Sequence, residues 1–452
     1  MKKLLTLALA CLGLLSAQAQ NPALNMSELG TWRHADPSRY YNDCWGYVAN
    51  GREYAILGSN WGTHFIDVTN PANPVEVNSF QGSNTNVVWR DFKTNGHYAY
   101  GVADGWGNNS LQIFDLSDLP NSVTKVYDSQ ALTWATHNIF IDNNKLYLCS
   151  TSLPGQGTRS VDILSLADPE NPQYLNTIQL PSSAVHDAFI RNDTAYLSGE
   201  YPGMYIYNVA DPMNPQLISS ITNYPYQGYN HSSWITADGK TMVVADEVPA
   251  GLPLKLFDIS DIQNPQYISD FRSNVGATPH NPYILGDFVI ISYYKDGVQV
   301  YNIADPANPV RVGFYDTYPD NGNYYAPDDD YQGCWGVYPF LPSGNIIASD
   351  ITYGLFVLTN PYTVTSAPGS ELAEQLRVYP NPASGSFNVK LSETAINPSF
   401  TLVNTLGQQV QLTANKVAGT TYGFNTTGLA AGFYTLQVTA NGQTATQKLV
   451  IQ

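Results

Sequence analysis

Between residues 24 and 361 apolar and polar positions alternate in short runs, and Gly, Pro, Asn and Asp break those runs every few residues. Apolar residues almost nowhere recur at the spacing of a helix face, so the pattern predicts short strands and very few helices. One phrase returns along the chain. It is clearest at residues 204–218 (Met204-Tyr-Ile-Tyr-Asn-Val-Ala-Asp-Pro), and related copies begin at Phe65, Leu111, Val161, Leu254 and Val298, with a truncated one at Leu355. Each copy reads as a strand, an Asx-Pro turn and a second strand, because Pro fixes φ and Asp or Asn closes a turn on its own backbone. A single hairpin cannot bury its apolar face, whereas stacked copies can.

A second hairpin precedes every copy, as at 186–200 with its turn at 191–194, so the unit is four strands. Units start near Trp45, Arg90, His137, His186, His231, His280 and Trp335. The prediction is an all-β chain: a seven-bladed β-propeller followed by a small C-terminal β-sandwich. The seventh unit lacks a fourth strand, and the segment 24–33 resembles the fourth strands at 75–80 and 310–315. The N-terminal strand is therefore expected to close the ring and cover its open edges. The predicted division is a signal peptide at 1–19, the propeller at 20–361, a Thr/Ser/Pro/Gly linker at 362–375 and the β-sandwich at 376–452.

A net charge of −17 argues against nucleic acid or an anionic membrane as partner. Lys2-Lys3, the apolar run from Leu4 and Ala17-Gln-Ala19 fit an export signal, and nothing later is long and apolar enough to span a bilayer. In an exported chain, Cys44 and Cys334 occupy matching Cys-Trp-Gly words in units one and seven, neighbours in a closed ring, and read either as a disulfide or as two buried thiols. Cys149 reads as a small core residue.

In a four-stranded unit the first strand lines the axis, so the seven start residues gather at one mouth of the channel. That places His137, His186, His231 and His280 there with Arg90, Trp45 and Trp335, and the ends of the second strands add Asp104, Glu200, Asp246 with Glu247, and Asp350. Unequal loops rich in aromatics, such as those at Trp61, Trp106, Tyr201 and Tyr293-Tyr294, surround them. These residues are the expected ligand-binding set, the ligand being carbohydrate or protein. The four histidines also allow a divalent metal at the axis, which makes a metal-dependent polysaccharide lyase or hydrolase the alternative. The structural reading is that each imidazole hydrogen-bonds the backbone of the incoming inter-blade loop; a passive surface spacer is the third function. No catalytic residue is assigned. Asp67, Asp115 and Asp258 read as turn caps, and Asp328-Asp-Asp330 as solvated charge or a Ca²⁺ loop.

Tyr379-Pro380-Asn381-Pro382, Asn404-Thr-Leu-Gly407, Gly432-Phe-Tyr434 and the terminal Lys448-Leu-Val-Ile follow one another as in the type A sorting domain of the type IX secretion system of Bacteroidota, which this segment resembles. The resemblance implies the type IX machinery as partner, passage across the outer membrane and attachment of the remainder at the cell surface. The body resembles the choice-of-anchor B family of LVIVD repeats, through Ile66-Asp-Val, Ile113-Phe-Asp-Leu, Leu256-Phe-Asp-Ile, Val300-Tyr-Asn-Ile and Cys334-Trp-Gly-Val-Tyr-Pro. That family implies the repeat fold with an exchangeable C-terminal anchor and no settled activity.

Overall fold

The computed structural model describes residues 21–360 except 106, 182–183 and 320–330, and residues 376–451 except 392–397, 405–408, 411, 430–431 and 441–442. The expected signal peptide, the linker, Trp106, Asp328 to Asp330 and Gly407 lie outside the described residues. All described regular structure is β. The chain divides into two compact units, Met1–Pro361 and Tyr362–Gln452.

The described residues of the first unit form seven antiparallel sheets, six of four strands and one of five. Sheets 1 to 7 span residues 41–81, 89–129, 138–178, 187–221, 230–271, 282–315 and 334–358. Each is an up-and-down meander, packed on the next, and sheet 7 packs on sheet 1. The repeated phrase supplies the third and fourth strands of sheets 1 to 6 and the third strand of sheet 7. Its apolar residues (Ile66, Ile113, Ile163, Ile206, Leu256, Val300) are buried between sheets, and its Asp or Asn caps the following turn: Asp67 accepts from Thr69 N, Asp115 from Ser117 N and Asp258 from Ser260 N at 2.9 to 3.0 Å. In every sheet the pairing of the two outer strands carries one register shift, for example between Ile206 and Tyr207 or Leu256 and Phe257. Such bulges raise local twist, which lets stacked sheets fan around an axis.

Two strands of the N-terminal segment complete this arrangement. Glu28–Trp32 pairs antiparallel with Gly354–Leu358 as the fourth strand of sheet 7. Ala23–Leu24 pairs with Val310–Tyr315 and becomes a fifth strand of sheet 6, which the sequence reading did not separate from its neighbour. Asn25 stands between them at φ 54°, a left-handed conformation that Asn tolerates and that turns the chain from one sheet to the next.

The Cys44–Cys334 disulfide is not formed: both are free, buried thiols. The matching Cys-Trp-Gly words sit at different heights. A Cβ on Gly336 would meet Cys44 N at 3.1 Å and Asp43 Oδ1 at 2.6 Å, and one on Gly46 would strike the Tyr338 ring. Cys44 is thus level with Gly336, two residues along the strand from Cys334, and a strand rises about 3.3 Å per residue. Added to the lateral separation of the two packed strands, that offset puts the two thiols beyond the reach of a disulfide.

In the second unit one set of strands (Ser399–Asn404, Gln409–Val410, Gly432–Ala440, Gln443–Ile451) faces another (Ser386–Lys390, Asn415–Ala418, Thr421–Asn425), and Arg377–Ser384 pairs with both sets. Phe387 stacks on Phe424 and Phe400 meets Phe424 edge-on, both at 5.0 Å, with Val389, Leu402, Leu436 and Leu449 filling the core. Tyr379, Pro380, Asn381 and Pro382 lie in the strand Arg377–Ser384, where Asn381 Oδ1 accepts from Val450 N at 2.9 Å. Gly432 and Tyr434 lie in the strand Gly432–Ala440, and Lys448 in Gln443–Ile451.

Candidate functional site

At one end of the inner strands lies a cavity of about 590 Å³, lined by His137, His186, His231, His280, Trp335, Asp104, Glu200, Glu247, Trp89, Tyr201, Tyr229, Tyr294 and Tyr331, among others. The imidazoles form an arc. Ring centroids are 4.1 Å apart for His137–His186, 3.9 Å for His186–His231 and 4.4 Å for His231–His280, and Trp335 follows at 4.8 Å. One histidine opens each of sheets 3 to 6, so a ring position repeated once per sheet becomes a continuous row in space.

The hydrogen bonds fix the tautomers. His186 Nδ1 donates to His231 O at 3.2 Å, and His280 Nδ1 to Trp335 O at 2.5 Å, since a carbonyl only accepts. His231 Nδ1 lies 3.0 Å from Ser232 Oγ, whose one proton goes to His280 O at 2.6 Å. The His231 proton must then sit on Nδ1. In all three rings Nε2 is left as a lone pair, and His231 Nε2 is buried without a hydrogen-bond partner. Burial, and then the neighbouring imidazoles, hold His186 and His231 well below the usual histidine range, and burial brings His280 to about 3. These three rings are neutral at physiological pH.

His137 differs. Its Nδ1 bonds Asp104 Oδ2 at 2.8 Å; burial opposes its charge, but the hydrogen bond and charge of Asp104 outweigh burial and raise its pKa. Two further carboxylates are held by tyrosines: Glu247 accepts from Tyr294 OH at 2.7 Å and Glu200 from Tyr229 OH at 3.0 Å. Burial pushes the Glu247 pKa up, and the Tyr294 hydrogen bond and His137 moderate this. Glu200 and Tyr294 occupy the same position in tight turns of sheets 4 and 6, and both are left-handed, at φ 62° and 37°. Non-glycine residues in that region carry strain and cluster at binding sites.

Four of the expected site residues turn away from this cavity. Trp45 lies farther along the channel, packed on Tyr338 and Tyr283 beneath Lys93, because the inner strand of sheet 1 already begins at Tyr41. Arg90 is buried and donates to Ser59 O at 2.8 Å and Asn84 O at 2.7 Å. Asp246 pairs with Lys255 Nζ at 2.5 Å and accepts from Tyr224 OH at 2.9 Å inside sheet 5. Asp350 caps a turn through Thr352 N and Tyr353 N, both at 2.9 Å, and accepts from Thr317. Trp89, Tyr229 and Tyr331 were missed, each lying next to or between the residues singled out by the repeat. Glu247, the neighbour of Asp246, is the carboxylate that reaches the cavity.

Below the histidines the channel is polar. Asp43, Asp91, Lys93, Asn138, Asp187 and Asn281 line small pockets there, with Lys93 Nζ 2.8 Å from Asp91. Burial raises Asp187 to about 7. Phe140, Phe189, Trp234, Tyr283 and Phe340 form an aromatic floor beyond them.

Residues 377–452 match the family described as secretion system C-terminal sorting domain. Among solved structures, the WD40 β-propeller domain of Doa1 is similar with a TM-score of 0.50 and 8% identity, over 74% of this chain and 97% of that one. PorZ of Porphyromonas gingivalis, described as an essential bacterial surface component of the type IX secretion system, is similar with a TM-score of 0.48 and 12% identity. That likeness covers 91% of this chain and 59% of PorZ, so the chain spans less than two thirds of that protein. No curated protein matches.

Repeated four-stranded antiparallel sheets and the Doa1 likeness define the class: a β-propeller. The sorting domain that follows directs export through the type IX secretion system to the cell surface or the extracellular space. No described helix is long and apolar enough to cross a membrane.

Proposed function

We propose that the protein is a seven-bladed surface propeller of the choice-of-anchor B type, from a member of the Bacteroidota, that binds carbohydrate in the cavity at its histidine-lined mouth. The seven sheets packed in a cycle and the N-terminal strand in sheet 7 support the ring. The observation that carries the binding reading is the convergence, in one cavity of about 590 Å³, of aromatic rings with carboxylates fixed by tyrosines. That size suits one or a few sugar units rather than a protein face. Aromatic planes stack on the apolar faces of sugars, while Glu200, Asp104 and the unprotonated imidazole nitrogens accept from hydroxyls.

The test is a glycan array with the full exported chain, followed by calorimetry on the best ligand. Trp89→Ala and Tyr201→Ala, which remove side chains 37% and 60% exposed at the rim, are expected to weaken binding about tenfold each. A folded protein that binds no glycan, or binds one equally well in both variants, would refute the reading.

A further inference from the structure

We propose that His186, His231 and Glu247 form a binding site for a divalent transition metal in the wall of the cavity, with open coordination positions facing the space where the ligand sits. The inference rests on the ligand-binding reading for its second half only. One nitrogen of each histidine and a carboxylate oxygen of Glu247 lie within 4.8 Å of one another, and His231 Nε2 is 3.9 Å from Glu247 Oε2. Metal bonds of about 2.1 Å require donors about 3.4 Å apart in a tetrahedral site, so side-chain shifts of less than about 1 Å complete the geometry.

Three features separate this group from a chance cluster. The Nδ1 bonds described above leave Nε2 of both rings as a lone pair, the form in which imidazole ligates a metal. His231 Nε2 is buried and has no hydrogen-bond partner, a cost that coordination would remove. Each donor is held from behind: His186 by His231 O, His231 by Ser232, Glu247 by Tyr294 OH. Such outer contacts orient metal ligands and tune their basicity. His137 is outside the set because its Nδ1 is committed to Asp104. Two neutral imidazoles and one carboxylate satisfy three positions of a four- to six-coordinate ion. The others are left for oxygen donors, such as the vicinal hydroxyls or a carboxylate of a sugar.

The full chain, stripped with chelator, would be titrated with Zn²⁺, Mn²⁺ and Co²⁺ by calorimetry, with the Co²⁺ absorption spectrum reporting nitrogen and oxygen ligation. One equivalent per chain is expected. Glu247→Gln, which retains an acceptor for Tyr294, and His186→Ala should each weaken binding by about tenfold or more, and Tyr294→Phe by about tenfold. His97→Ala, at an exposed histidine outside the cavity, should change nothing. Circular dichroism and a melting curve on each variant separate lost metal from lost fold. No stoichiometric metal, or affinity unchanged in folded Glu247→Gln, would overturn the site; glycan binding that still depends on Trp89 and Tyr201 would then leave the binding reading standing. If metal binds but its removal leaves glycan affinity unchanged, the open positions do not serve the ligand and the second half falls.

Discussion

Sheets 3 to 6 and sheets 1 and 2 solve the same problem at the channel mouth with different side chains. In each, the residue that opens the inner strand must tie one sheet to its neighbour. Asn42 does so by donating to Val88 O at 2.6 Å, and Arg90 by donating to Ser59 O at 2.8 Å. His186, His231 and His280 reach the following sheet's carbonyl either directly or through Ser232. An amide and a guanidinium thus suffice for the joint. Imidazole adds what they lack, an unprotonated nitrogen pointing the other way. The tie explains why a donor is needed at these places; it does not explain why the donor is histidine four times in succession.

The sharpest way to break the comparison is acid. His280 has a pKa of about 3 against 6.5 when unfolded, and His186 and His231 are shifted in the same direction. A lowered histidine pKa gives stability that is present above 6.5 and is lost as pH falls towards the folded value, up to about 5 kcal/mol for His280 alone. Asp187, raised to about 7, works in the opposite sense: its contribution is present below 3.8 and is lost as pH rises through 7. Denaturant midpoints between pH 4 and 8 should therefore show Asp187→Asn gaining most at pH 8 and declining more steeply than wild type on acidification. A parallel decline in both proteins would remove Asp187 from the account.

Next in size is Arg90→Ala. It strips the donors from Ser59 O and Asn84 O and opens a void, and should cost about 3 kcal/mol while leaving ligand affinity intact. Asn42→Ala removes one donor from Val88 O and should cost about 1 kcal/mol. Were either variant to abolish glycan binding without loss of stability, the division between joints that only hold and joints that also present a lone pair would fail.

The repeat was legible because alternation and Asx-Pro turns are local, and each copy's apolar residues could have no other use than contact between sheets. The four histidines were legible as a row for the same reason. Height along the axis was not. The two Cys-Trp-Gly words match in sequence but differ by two residues in level, since the inner strand of sheet 1 starts at Tyr41, and this moved Trp45 to the aromatic floor. Between adjacent Asp246 and Glu247, alternation says that they face opposite ways but not which faces the cavity. The missing signal was Lys255, a cation between the apolar residues Leu254, Leu256 and Phe257 of the third strand, which claims Asp246 as its buried partner.

The N-terminal strands have a consequence for a shortened chain. Residues 23–32 precede the other strands of all seven sheets in the chain, yet find their partners only at 310–315 and 354–358. Without those partners the N-terminal segment has no strand to pair with. A polypeptide halted before residue 354 would lack the partner of Glu28–Trp32 and leave that strand unfastened.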